Sequence, residues 1–174
     1  DAVLAYSAAG YDPASVGSGT TALEFLNAEL FDYTRDISGT IFPAQTGKAI
    51  LALAGAGADP GAFEANPGGT LDLVAELEAT YDAATGAYST TASLGFSSGA
   101  AGALNQSFVL LGLSAAATPA PPVAVQFLTD LQEPDGGWGF GFGGDVDTTA
   151  IALQALLANG VAPTDTVIQD GLSF

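Results

Sequence analysis

Four acidic residues lie close together in a glycine-rich segment of the chain. Glu133 and Asp135 precede Gly136-Gly137, and Asp145 and Asp147 follow. Carboxylates, together with the backbone carbonyls of a glycine turn, supply the hard oxygen ligands that calcium prefers, although the spacing differs from that of an EF-hand. Two interpretations are open: a calcium site formed by Asp135, Asp145 and Asp147, or a solvated acidic loop. The sequence predicts no other cofactor.

The same segment carries three aromatic residues set between glycines, namely Trp138, Phe140 and Phe142. Aromatic side chains exposed together form a surface for a ligand or a partner. Alternatively, the rings fold over the end of a helix and belong to the core. Both interpretations follow from the same residues, so Trp138, Phe140 and Phe142 are candidate ligand-binding residues.

Composition excludes several other kinds of chemistry. The absence of cysteine and histidine removes cysteine nucleophiles, histidine-based triads and the usual zinc ligands. Nineteen acidic residues stand against Arg35 and Lys48 alone, and the net charge of −17 repels nucleic acid and anionic membrane surfaces. Prolines interrupt the apolar run 108–128, which predicts two short helices rather than a membrane span.

The elements that position these residues are predicted to be two kinds of helix. One kind is apolar, rich in alanine, and stopped by glycine or alanine with proline just beyond, which is typical of a helix end. The other kind is amphipathic, with an acidic outer face. The apolar copies lie in 3–13, 50–60, 108–121 and 153–163, and the amphipathic helices in 21–30, 70–80 and 122–132.

Glycine- and serine-rich connections separate these helices. The longest are predicted at 34–47 and 83–102, and segment 87–96 is predicted to be either a small extended excursion or a binding loop. The repeat is cut at both ends, because the chain begins and stops within helical patterns. We therefore expect either that the chain was trimmed or that a neighbouring copy supplies what is missing.

The segment from Phe127 to Leu157 resembles the repeat of the squalene cyclase and prenyltransferase family. The resemblance rests on Phe127-Leu128-Thr129-Asp130-Leu131-Gln132 followed by Asp135-Gly136-Gly137-Trp138-Gly139, and then Asp145-Val146-Asp147-Thr148-Thr149-Ala150. In that family, glutamine and tryptophan tie successive outer helices together. The resemblance therefore implies structural roles for Gln132, Gly136, Gly137 and Trp138, and an α/α toroid fold.

The resemblance also implies one catalytic alternative. Class II terpene cyclases protonate an alkene or epoxide with the middle aspartate of an Asp-x-Asp-Asp motif. On that match Asp147 is the general acid and Asp145 its neighbour, although Thr148 replaces the last aspartate. The structural alternative is that Asp147 or Thr148 caps the N-terminus of a helix.

These observations predict one all-α domain over residues 1–174. Its expected architecture is a toroid-like arc of about three and a half helical hairpins in two layers, forming an incomplete barrel. The predicted function is a non-catalytic extracellular or cell-surface structural module that binds copies of itself, head to tail in a filament, or another surface protein. The alternatives are a secreted binding module for a small, cobalamin-like ligand and a fragment of a class II terpene cyclase.

Overall fold

The computed structural model describes residues 1–17, 19–66, 69–94 and 97–174. These residues form eight α-helices and four short strands, so the all-α prediction is confirmed. The helices are α1 (Ala2–Ala8), α2 (Ala22–Thr34), α3 (Pro43–Gly55), α4 (Leu73–Glu78), α5 (Ala103–Ala115), α6 (Pro122–Asp130), α7 (Val146–Ala158) and α8 (Thr166–Ser173). The strands form two antiparallel hairpins, β1 (Phe63–Ala65) with β2 (Gly69–Leu71) and β3 (Ser93–Leu94) with β4 (Ser97–Ser98).

The contacts between helices follow the predicted alternation along the chain. The apolar helices pack side by side, α1 on α3, α3 on α5, and α5 on α7. The helices α2, α4, α6 and α8 each pack against one or two members of that row. Leucines from both kinds of helix, such as Leu30, Leu53, Leu110 and Leu128, are fully buried in one core.

The four apolar helices end in the same way. Gly10, Gly57, Ala117 and Gly160 have φ values of 77°, 74°, 54° and 87°, and each lies two residues beyond the last helical residue. The residue after each of them donates its backbone N–H to a carbonyl five residues earlier, at 2.9–3.1 Å. This bond is that of a Schellman cap, and the left-handed position in it favours glycine. The prediction that glycine or alanine stops these helices is confirmed.

Ala117 is the one non-glycine residue at positive φ among the described residues. Its Cβ is strained there, so we expect Ala117→Gly to raise the free energy of unfolding by about 0.5–1 kcal/mol. Ala116 is the matched control, because its φ of −79° suits alanine. Ala116→Gly is expected to lower stability by about 0.5–1 kcal/mol. Urea denaturation followed by circular dichroism measures both, and equal effects of the two changes would contradict the assignment.

Two glycines set the distance between α3 and α5. A Cβ added to Gly112 would lie 2.5 Å from the carbonyl oxygen and 2.7 Å from the Cα of Gly47. A Cβ added to Gly47 would lie 2.8 Å from the carbonyl carbon of Phe108. The backbones of these two helices are therefore in direct contact, which a side chain at either position would prevent.

Two predicted boundaries are corrected by the structure, and a third prediction is supported in part. The helix predicted over 70–80 is shorter, because residues 69–71 pair with β1 and α4 starts at Leu73, where the Asp72 carboxylate accepts the N–H of Ala75 (2.9 Å). The connection predicted over 34–47 ends earlier, since Pro43 opens α3. The prediction over 87–96 is supported where β3 forms, and residues 95 and 96 lie outside the described residues.

The apolar run 108–128 is divided between α5 and α6, as the prolines predict. Within the described parts of the chain, no helix combines the length and the apolar character needed to cross a bilayer.

Candidate functional site

The predicted turn connects the end of α6 to the start of α7. Gly136 has a φ of 90°, and the N–H of Glu133 donates to the carbonyl of Gly137 at 2.8 Å. A Cβ on Gly136 would lie 2.8 Å from the carbonyl oxygen of Asp170 in α8. The turn therefore requires glycine both for its conformation and for its close approach to α8.

Gln132 links this turn to the next outer helix. Its Nε2 donates to the carbonyl of Gly136 (2.8 Å) and to the carbonyl of Val167 in α8 (2.9 Å). These two bonds agree with the structural role that the resemblance implies for Gln132. One amide thus fixes the end of α6, the glycine turn and the first turn of α8 relative to one another.

Trp138 lies in the core rather than on a binding surface. It is fully buried, its Nε1 donates to the carbonyl of Leu128 in α6 (2.8 Å), and its backbone N–H donates to the hydroxyl of Thr149 in α7 (2.9 Å). The hypothesis that Trp138 belongs to a ligand surface is therefore wrong. Phe140 and Phe142 are separated from it, being 71% and 99% exposed.

The acidic residues of the loop mostly accept hydrogen bonds from the backbone. Asp135 accepts the N–H groups of Gly137 (3.1 Å) and Gly144 (2.9 Å), which closes the loop between those glycines. Asp145 accepts the N–H of Thr148 (2.8 Å), and Asp147 is exposed. Over the described ranges, no group of three or more acidic residues is placed to hold a metal ion. Asp135 and Asp145 are thus engaged by backbone N–H groups. Calcium binding by Asp135, Asp145 and Asp147 stays a prediction, and it has no part in the function proposed below.

The cap of α7 differs from the prediction. Asp145 is the N-cap residue, whereas Asp147 and Thr148 lie inside the first turn. Asp145 takes this place because its backbone is extended (φ −126°, ψ 152°), which lets its carboxylate reach back to the helix N–H groups.

The exposure of Asp147 also bears on the catalytic alternative. A carboxyl group that protonates an alkene needs a dry, hydrogen-bonded site. Asp147 is exposed to solvent and does not line the cavity described below. This environment does not fit the general acid of a cyclase.

A second copy of the turn follows α4. Gly86 has a φ of 83°, and a Cβ there would collide with the carbonyl oxygen of Val123 in α6. Tyr88 occupies the position equivalent to Trp138 and is buried. The centre of its ring lies 5.0 Å from the centre of the Tyr81 ring. Burial, together with Tyr81 and Glu78, raises the pKa of Tyr88 to about 12.

Gln106 fixes this second turn, and sequence analysis missed it. Its Nε2 donates to the carbonyls of Gly86 (3.1 Å) and Ala124 (3.0 Å), and its Oε1 accepts the N–H of Tyr88 (3.2 Å). Unlike Gln132, it lies on an apolar helix, α5. A glutamine in the first turn of a mostly apolar helix was the signal that could have identified it.

The outermost helices of the row have free faces. Equivalent positions on the apolar helices can be found by counting back from the left-handed residue at each C-terminal end. Gly47 of α3 and Ala150 of α7 are equivalent, because each lies ten residues before that residue. Gly112 and Ala5 lie five residues before the caps of α5 and α1. Whereas Gly47 contacts Gly112, both Ala150 and Ala5 are exposed.

Large apolar side chains are exposed on or just after the helices at each end of the row. Beside α7 and α8 these are Val146 (75%), Leu157 (41%), Leu172 (65%) and Phe174 (44%), and at the α1 end they are Tyr6 (36%), Tyr11 (63%) and Phe25 (62%).

Comparison with known proteins found no family model, curated protein or solved structure that matches this chain.

Proposed function

We propose that this chain is a non-catalytic structural module that assembles head to tail with copies of itself. In the proposed assembly, the free face of α7 in one copy receives the free face of α1 in the next. The observation that carries the proposal is the exposure of Ala150 and Ala5, at the positions where Gly47 and Gly112 join α3 to α5. The resemblance to the squalene cyclase repeat supports arranging the hairpins as a two-layer, toroid-like arc.

Small residues on both faces support this packing. A helix pair approaches closely where alanine or glycine occupies the contact, and α3 and α5 already do so. Ser107 and Ala155 occupy the corresponding positions of α5 and α7, and both are buried. Repetition of this contact between copies would bury Ala150 against Ala5.

The exposed apolar side chains supply a driving force. Val146 and Leu157 lie on α7, and Tyr6 on α1. Their burial between copies removes apolar surface from water, which favours association. Repeat proteins otherwise require polar capping faces at their ends, and these apolar residues do not provide one.

The net charge opposes association and makes it dependent on salt. Each copy carries −17, so two copies repel each other at low ionic strength. Salt shortens the range of that repulsion, from about 10 Å at 0.1 M to about 3 Å at 1 M. The proposal therefore predicts stronger assembly in concentrated salt. The acidic composition supports placing the module outside the cell or on its surface, where copies of the module are its partners.

The test compares two exposed aliphatic residues that lie on different helices. Light scattering behind a sizing column should show that the wild-type mass rises with protein concentration. It should also rise between 0.1 M and 1 M NaCl, over which the screening length falls about threefold. Leu157→Glu should remain at the monomer mass. Val123→Glu is the matched control, because Val123 is 48% exposed on α6, away from both terminal faces. It should assemble like the wild type.

A wild-type chain that stays monomeric under all of these conditions would overturn the proposal. So would equal loss of assembly in Leu157→Glu and Val123→Glu, because the effect would then not depend on the face of α7.

A further inference from the structure

A cavity of about 820 Å³ lies where the first turns of α3 and α5 face the loop after α6. Ala44, Gln45 and Lys48 of α3 form one side, and the start of α5 forms another. The loop at Gly139–Gly141 lies across from them. The volume of the cavity is in the range of sites that hold small molecules.

The wall of the cavity is mostly apolar and contains three aromatic rings, Tyr33, Phe108 and Phe140. Burial raises the pKa of Tyr33, and the charge of Lys48 opposes that shift. At neutral pH the phenol is therefore uncharged. A flat aromatic or otherwise apolar body can be buried between such rings.

Lys48 gives the cavity its one positively charged side chain. The chain has only two basic residues, and Arg35 is bound to Glu76 at 2.7 Å. Lys48 lies with its Nζ 5.4 Å from the centre of the Phe108 ring, and its side chain is 27% exposed. A cation set against an aromatic wall in a strongly acidic protein is suited to a single anionic group.

Lys48 already forms an ion pair with a carboxylate. Its Nζ lies 2.6 Å from Oδ1 of Asp1, whose side chain is 86% exposed. Ion pairs as exposed as this contribute little to stability, so another carboxylate can replace Asp1 at small cost. The other acidic group at the cavity, Glu133, accepts the N–H of Gly141 at 3.1 Å.

We propose that this cavity binds a small organic acid with an apolar, aromatic body and one carboxylate. The carboxylate pairs with Lys48 in place of Asp1, and the body lies between Phe108, Tyr33 and Phe140. Phe140 is 71% exposed, and it becomes buried against the ligand. Apart from Asp1, which is the N-cap residue of α1, the residues of this site lie outside α1 and α7.

Calorimetry with 2-naphthoate and its uncharged analogue 2-naphthamide tests the assignment. One naphthoate is expected per chain, bound about tenfold more tightly than the amide, as one charge-assisted contact provides. Lys48→Gln should weaken naphthoate to the level of the amide and leave the amide unchanged. Lys48→Arg should keep the preference for the acid, and circular dichroism establishes that each variant is folded.

Two phenylalanines on the same loop give a matched pair of variants. Phe140 lines the cavity, whereas Phe142 is 99% exposed and does not. Phe140→Ala should weaken both ligands, and Phe142→Ala should weaken neither. The proposal is overturned if naphthoate does not bind at millimolar concentration, if acid and amide bind equally, or if folded Lys48→Gln binds naphthoate like the wild type.

Discussion

Gly112→Ala is expected to lower the free energy of unfolding by about 3 kcal/mol or more, the upper range for overpacking a tight contact. The added Cβ would lie 2.5 Å from the carbonyl oxygen of Gly47, and backbone atoms cannot move aside as a flexible side chain can. Relief requires α3 and α5 to separate, which loosens the packing around Leu53 and Leu110. Urea denaturation monitored by circular dichroism measures the change.

Gly55→Ala is the control for this prediction, because it also adds one methyl group to a glycine on the row of apolar helices. Its nearest neighbour would be the Cβ of Ser7 at 3.8 Å, an ordinary contact. Alanine also has the higher helix propensity, so this variant should be unchanged or up to about 1 kcal/mol more stable. Equal destabilisation by Gly112→Ala and Gly55→Ala would show that the backbone contact between α3 and α5 is not what limits the substitution.

Trp138→Ala is expected to cost about 3–5 kcal/mol, the range for removing a buried aromatic side chain. The change leaves a cavity among α6, α7 and α8 and removes the bond from Nε1 to the carbonyl of Leu128. Trp138→Phe retains a ring and loses that bond, so a smaller loss of about 1–3 kcal/mol is expected. Because Trp138 is the only tryptophan, circular dichroism rather than fluorescence follows the unfolding.

Phe142→Ala serves as the control for the same loop. The Phe142 side chain is 99% exposed, so its removal should change stability by less than about 0.5 kcal/mol. If Trp138→Ala were as mild as Phe142→Ala, the assignment of Trp138 to the core would be wrong.

The helices and their ends could be predicted because their signals are local. Glycine or alanine followed by proline indicates the end of each apolar helix, and the left-handed residues at Gly10, Gly57 and Gly160 agree. A structural role for Gln132 was expected only from the resemblance, and its bonds to Gly136 and Val167 agree with that expectation.

The remaining features depend on contacts that are distant in sequence. Gly47 and Gly112 are ordinary helical glycines until the two helices are brought together. The strand at residues 69–71 replaces the predicted helical turn because it pairs with β1 rather than because of its own propensity.

The location of the candidate site was predicted, but the roles of its side chains were not. The segment around Trp138 does join α6, α7 and α8, as the motif indicates. The sequence left two alternatives for its rings, a ligand surface or the core, because a ring flanked by glycines gives the same pattern whether it is buried or exposed. The structure places Trp138 in the core. The cavity beside Lys48 could not be predicted, since its walls come from helices α3 and α5 and from a loop far along the chain.

Disulfide cross-linking between copies tests the proposed assembly most directly. The chain has no cysteine, so Ala5→Cys and Ala150→Cys introduce the only thiols. If α1 of one copy packs on α7 of the next, mixing the two variants under mild oxidation should give covalent dimers, because a disulfide requires its two Cβ atoms about 4 Å apart. A chain carrying both changes should give a ladder of longer products.

Ala150→Cys mixed with Ala83→Cys is the control, since Ala83 is exposed in the turn after α4. Rapid cross-linking of residue 5 to residue 150, with little for the control pair, is the predicted result. Equal and slow cross-linking of both pairs would contradict head-to-tail assembly through these faces.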